Sequence, residues 1–199
     1  VIRHVAIVGA GFSGTLATIN LLRHEGPQVT LIERAPVAGE GIAYGAAHPS
    51  HLLNVRASNM SAFPDDRDHF VRWMAERGMP QAADAFVQRV TYGHYLRELL
   101  ATAIDRGGAR VALTTGEAID IDAESGATVH LRNGRAIIAD AAVLAVGNLP
   151  PHAPRGLDPT RLSARRWKGD PWAPGVDAGL SDSDTVLVMG TGLTMVDVV

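Results

Sequence analysis

The stretch GAGFSG, residues 9–14, sets three glycines in a G-x-G-x-x-G pattern. It lies between an apolar run, HVAIV (4–8), and a helical pattern that carries Leu16, Ile19 and Leu22 on neighbouring turns. Residues of this kind do chemistry with their backbone. Gly9 permits a tight turn, Gly11 lets the main chain approach a pyrophosphate, and Gly14 lets the helix pack close to the strand. With Ala10, Phe12 and Ser13 between them, the turn aims free N–H groups and the positive end of a helix dipole at phosphate oxygens. A carboxylate completes the set. Gly26-Pro27 ends the helix, QVTLIE (28–33) reads as a second strand, and Glu33, followed by Arg34, stands at its end, where it can accept hydrogen bonds from a ribose diol. Glycine turns also cap helices for structural reasons alone, but strand, glycines, helix, strand and acid in this order point to a dinucleotide. Ser13 does not fit a nucleophile elbow, because Gly14 follows it directly.

A similar turn recurs at TVLVMGTGLTMVDVV, residues 185–199. Gly190, Thr191 and Gly192 break the apolar run, Met195 takes the place of the third glycine, and Thr191 and Thr194 could offer hydroxyls to phosphates. This strand–glycine–helix start is expected to open a second nucleotide unit that continues past residue 199, so the chain reads as the N-terminal part of a longer protein.

The elements that must position these turns follow from the pattern. Residues 35–64 are rich in Gly, Ala, Pro and Ser without periodicity, and a long irregular stretch of this kind is usually functional. Helices are expected from Asp65 to about Arg77, with Phe70, Trp73 and Met74 on one face, and from about Thr91 to Arg106. Gly107-Gly108 closes the latter, and ARVAL (109–113) reads as a third parallel strand. A meander follows in EAIDID (117–122), ATVHL (127–131) and RAIIA (135–139), with Ser125-Gly126 and Asn133-Gly134 as turns. AAVLAVGNLPP (141–151) reads as a buried strand ending at Gly147. The fold class is α/β: a Rossmann-like domain over 1–151 with a parallel sheet and an antiparallel meander, a Pro- and Gly-rich connector over 152–183, and the start of a second Rossmann-like domain over 184–199.

Composition narrows the chemistry. Apolar residues make up 46% of 199, and the net charge of −3 gives no general attraction to nucleic acid or anionic membrane. With no cysteine there is no disulfide, thiolate metal site or redox dithiol in this stretch, and a cytoplasmic location is the expectation. Glycines interrupt the apolar N-terminus, which argues against a secretory signal. His48 and His51 form H-x-x-H in a loop without a third ligand, so no metal site is expected. Arg161, Arg165, Arg166 and Lys168 surround Trp167 in what reads as a solvated surface.

Several stretches together resemble the N-terminal part of the two-dinucleotide-binding flavoproteins, relatives of flavin-containing monooxygenases and pyridine-nucleotide reductases. They are VAIVGAGFSGTLATINLL, GEGIAYG, HLLNVRASNMSAFPDD, the HF-x-x-W of residues 69–73, RVTYGHYL, AVLAVGNLPP, DPWAPG and VLVMGTGLTMVDVV. Among these the chain most resembles the bacterial FAD/NAD(P)-binding oxidoreductases, whose members include proteins assigned as FAD-dependent urate hydroxylases. The resemblance implies FAD on Gly9 to Gly14 and Glu33, and NAD(P)H at the second turn. Tyr44, Leu53, Asn54 and Met60 would lie along the flavin side, Ala118 would offer backbone to the adenine, and Gly147 would pass close to the cofactor. Thr18 stands where similar motifs carry Ala or Gly, which implies looser helix–strand packing. Implied too are hydride transfer from nicotinamide to flavin and a small-molecule substrate. A single-cofactor flavin oxidase and a flavin- or nucleotide-binding module without turnover are the alternatives.

Overall fold

The computed structural model describes residues 1–45, 47–79, 83–149 and 151–198. They form two units, Val1–Gly147 and Asn148–Val199.

In the first unit the chain begins with β1 (His4–Val8), α1 (Phe12–Leu22) and β2 (Gln28–Glu33); both strands have the bounds expected from the sequence, and the helix between them ends before Gly26-Pro27. A short α2 (Gly41–Gly45) follows, then α3 (His69–Glu76) and the long α4 (Arg89–Gly107). β3 (Val111–Thr115) leads into β4 (Ala118–Asp122), β5 (Ala127–Leu131) and β6 (Ala136–Ala139), and β7 (Ala141–Leu144) closes the unit. Strands β3-β2-β1-β7 form a parallel sheet, and β4-β5-β6 form an antiparallel one.

The central strands are buried from Val5 to Val8 and from Val29 to Ile32, and all of these residues but Thr30 are apolar, because both faces are covered. Successive side chains alternate between faces. Val5, Ile7, Val29 and Leu31 join Ile19 and Leu100 under α1 and α4. Ala6, Val8 and Ile32 join Val129, Leu131 and Ala139 under the meander. Each fully buried aliphatic side chain contributes roughly 2 kcal/mol. A third cluster, built on Phe70, Trp73, Met74, Tyr92, Tyr95 and Leu96, packs α3 and α4 against the loop at residues 53–62.

Several expectations are corrected. The helix expected from Asp65 starts at His69, because residues 63–69 are spent on successive turns, with Asp66 N–H donating to Phe63 O and His69 N–H to Asp66 O. β3 begins two residues late, after a tight turn at Gly108–Arg110. β7 ends at Leu144, short of Gly147, and Val143 and Leu144 are exposed on this edge strand, not buried.

The second unit has a short 3₁₀ turn at Pro159–Arg161 and a final helix, α5 (Leu193–Val198). Residues 185–189, expected as a strand, form no ladder among the described residues; Val186, Leu187 and Met189 are exposed. A strand exists only through its neighbours' hydrogen bonds, and no neighbour among the described residues pairs this segment.

Candidate dinucleotide site

The glycine turn sits at the carboxyl end of β1, where the parallel sheet changes direction: β2 lies on one side of β1 and β7 on the other. Open α/β sheets bind their ligands in a crevice of this kind. Gly9 adopts φ +97°, and a Cβ on it would fall 2.4 Å from Ala145 O, so only glycine fits beside the end of β7. A Cβ on Gly14 would fall 1.8 Å from Gly9 O. Helix and strand therefore meet at van der Waals distance, and Thr18 does not loosen them: its buried hydroxyl turns back on Gly14 O at 2.8 Å. Thr15 is equally buried and donates to Ala10 O at 3.1 Å.

Gly11 differs from both. Its backbone is extended, a Cβ there would meet only Gly41 Cα at 3.6 Å, and as the residue before α1 it supplies no side-chain cap. The N–H groups of Phe12, Ser13 and Gly14 open the helix without carbonyl partners within it. Phe12 and Ser13 are exposed, while Ala10 and Gly14 are buried. An uncapped helix start with a bare glycine in front is the cradle that phosphate oxygens require.

Glu33 stands at the expected end of β2 and reaches the turn directly. Its Oε2 accepts from Ala10 N–H at 2.7 Å and its Oε1 from Ala35 N–H at 2.8 Å. A carboxylate offers about four lone-pair sites, so acceptor capacity remains for two hydroxyls. Arg34 is exposed beyond it. Gly116, following β3, donates its N–H to Glu33 O at 2.9 Å, which brings the start of β4 and Ala118 to the same end of the sheet.

The loop at residues 51–63 is irregular yet firmly held. Leu53 N–H donates to Val87 O, Ala57 N–H to Ala85 O, and Arg89 N–H to His51 O, while Arg89 Nε donates to Leu52 O. These bonds draw α4 back to Arg89, ahead of the expected Thr91. They also make Arg89 an anchor of the helix start. Leu53 is buried and Met60 half-buried against the aromatic cluster, whereas Asn54 is exposed and its amide meets no partner among the described residues.

Tyr44 packs at the turn. Its ring centroid lies 5.8 Å from Phe12 and 5.0 Å from Tyr92. Burial raises the phenol pKa of Tyr44, with Arg89's charge opposing, and burial raises that of Tyr92 further. Both rings stay neutral beside the turn. The sequence reading missed the residues that press α2 onto this corner: Gly39, Glu40, Gly41, Gly93 and Arg97. The G-x-G of residues 39–41 and a glycine inside a helical pattern were the available signals.

Gly147 is exposed at φ +72° with open space around it, just past the end of β7. The second turn is unlike the first: Gly190 has φ +123°, no atom among the described residues crowds Gly190 or Gly192, and Thr191 and Thr194 are exposed. His48 and His51 engage each other and Ser50. No group of three His, Cys, Asp or Glu that could hold a metal occurs among the described residues. No helix there is long and apolar enough to cross a membrane.

Among solved structures, the flavin-containing monooxygenase from Stenotrophomonas maltophilia aligns with a TM-score of 0.51 and 19% identity, over 72% of this chain and 38% of that one. An open crystal structure of cyclohexanone monooxygenase aligns with a TM-score of 0.54 and 20% identity, over 75% of this chain and 28% of that one. At these identities the likeness is one of fold, and the chain spans only 38% and 28% of the length of these two proteins. A comparison with curated protein sequences gives no match. Residues 6–149, which hold the first glycine turn, Glu33 and all seven strands but the first two residues of β1, match the FAD-NAD(P)-binding family, and the chain belongs to that family.

Proposed function

We propose that this chain is the FAD-binding part of a flavoprotein oxidoreductase that takes hydride from NAD(P)H and acts, in the manner of a monooxygenase, on a small-molecule substrate. The observation that carries the reading is the pairing of an uncapped helix start at Gly11–Gly14 with the Glu33 carboxylate on the same turn. One part suits phosphates and the other a ribose diol, which is the division of labour a bound FAD needs.

When bound, FAD supplies the redox chemistry, and the protein supplies position and electrostatics. Gly11 to Gly14 hold the pyrophosphate with backbone N–H groups and the helix dipole. Glu33 orients the ribose and is itself fixed by Ala10 and Ala35. The neutral rings of Phe12, Tyr44 and Tyr92 keep water from one side of the corner. The exposed Asn54 amide, which meets no partner among the described residues, can both donate and accept. For nicotinamide, Thr191 and Thr194 at the second turn are the residues to which phosphate contacts are assigned.

A visible absorption spectrum of the full protein, followed by anaerobic NADH or NADPH, tests the reading. Flavin bands that bleach on addition are expected. A colourless protein that takes up no added FAD would overturn it, and bands that no nicotinamide bleaches would remove NAD(P)H from it.

A further inference from the structure

Residues Gly39–Gly45 are held between the glycine turn and α4 by contacts of two different kinds. Toward the turn, Gly39 N–H donates to Ala10 O at 2.8 Å. A Cβ on Gly41 would lie 2.9 Å from Gly11 Cα. Toward α4, a Cβ on Gly39 would lie 3.3 Å from Arg97 Cα, and one on Gly93 would lie 3.2 Å from Tyr44 Cβ. Between these close approaches, Glu40 Oε1 meets Arg97 Nε at 2.8 Å, with only 15% of the Glu40 side chain exposed.

Such a segment has little else to hold it. α2 is five residues long and buries none of them, and a helix of that length does not stand by itself. Its adhesion comes from the Glu40–Arg97 pair and from Tyr44 resting on Gly93 and Tyr92. Gly39 and Gly41 flank Glu40 at φ +110° and +60°, so the backbone can pivot there at small steric cost. Charge matters as well. Glu40 adjoins the residue that covers Gly11, and an unpaired carboxylate there would repel a pyrophosphate. Arg97 neutralises it.

We propose that Gly39–Gly45 is a strap across the pyrophosphate of the bound dinucleotide, latched to α4 by the Glu40–Arg97 pair, and that this latch governs the rate at which cofactor enters and leaves. The proposal rests on the assignment of FAD to the glycine turn. Phosphates reach that turn on the Gly11 side, where Gly41 already stands, so the strap must lift for them to pass. Glu40 and Arg97 are thus positioning residues for the cofactor and take no part in its chemistry.

These 199 residues contain no cysteine, so with any cysteine elsewhere in the full protein replaced by serine a reversible test is open. Tyr44→Cys with Gly93→Cys places two thiols at Cβ positions that need to part by only a few tenths of an ångström to reach disulfide geometry. FAD release from the purified full chain is followed by recovery of flavin fluorescence, with the same protein reduced by dithiothreitol as its control. Protein loaded and then oxidised is expected to release FAD at least about ten-fold more slowly than the reduced form, and oxidised apoprotein to take it up correspondingly slowly. Glu40→Gln in the otherwise unchanged chain is expected to speed release about five-fold, with a smaller effect from Arg97→Lys, which keeps the charge. Equal release from oxidised and reduced protein would overturn the strap and leave the cofactor assignment standing. If thiol titration shows that the bridge does not form, Glu40→Gln decides, and unchanged release overturns the proposal. Failure of the unsubstituted protein to bind FAD would overturn the cofactor assignment itself.

Discussion

The three glycines of the first turn share a motif but not a burden, and single substitutions should separate them. Gly14→Ala drives a methyl group to 1.8 Å from Gly9 O, a backbone atom that cannot move without shifting β1. A loss of about 3 kcal/mol is expected in urea unfolding, the upper range for overpacking. Gly11→Ala meets only Gly41 Cα at ordinary contact distance and costs at most about 1 kcal/mol of stability. It should nevertheless weaken FAD binding more than ten-fold by titration, roughly the loss of one charge-assisted hydrogen bond. Equal stability losses in the two variants would refute this division. The motif spacing alone identified which residues form the turn, and the tight turn at Gly9 and the close packing at Gly14 are as it predicts. That Gly14 faces Gly9 and that Gly11 faces Gly41 depends on atoms distant in sequence, which no local pattern contains.

Among the elements, the link between α3, α4 and the loop before them passes through one hydroxyl. Tyr95 OH accepts from Ala62 N–H at 3.2 Å and lies 2.9 Å from His69 Nδ1. The phenol oxygen thus ties the loop at Ala62 to the first residue of α3. Burial lowers the His69 pKa, with Asp66 opposing from the preceding turn and Arg72 reinforcing from the next turn of α3. The folded chain therefore binds this proton less readily than the unfolded chain. Stability is then complete above the ordinary histidine pKa of about 6.5 and is lost as pH falls from there toward the folded value. Asp65, held at about 2 by Arg23, and Asp66, lowered by Arg72, act only in a more acidic window. Urea midpoints are expected to fall between pH 7 and pH 5, and His69→Asn should flatten that slope. Tyr95→Phe should cost about 1–3 kcal/mol at pH 7, because it strands the Ala62 N–H. A slope unchanged in His69→Asn would place the acid sensitivity elsewhere. Element identity was largely legible here: β1, α1, β2 and the meander followed from apolar runs and turn dipeptides. Boundaries failed where side chains or distant backbone intervened, as at Asp65–Asp68, where turns and ion pairs displace the helix, and at Gln88–Arg89, where the Leu52 bridge extends it.

At the scale of the whole chain, burial is divided unequally between the two units. Every buried residue described belongs to Val1–Gly147, and none of those described after Gly147 is buried. The apolar run at residues 185–189 was legible as a strand by composition, yet a strand is a property of a sheet, and the ladder that would define it is absent among the described residues. Segments with few buried contacts open at low free energy, and proteases find them first. Arg155, Arg161, Arg165, Arg166 and Lys168 are all exposed in this second unit. Limited trypsin digestion is therefore expected to cut between residues 155 and 168 before it cuts the first unit, leaving a resistant product that contains all seven strands. Arg34 is the competing site, since it opens the exposed bend between β2 and the strap. Added FAD should slow cleavage at Arg34 and leave the cuts at 155–168 unchanged, a difference that mass spectrometry of the products reads directly. First cleavage inside Val1–Gly147 at sites other than Arg34 would mean that the sheet and its helices do not form the more stable body. Protection of 155–168 by FAD would mean that the cofactor's influence extends past Gly147 into the second unit.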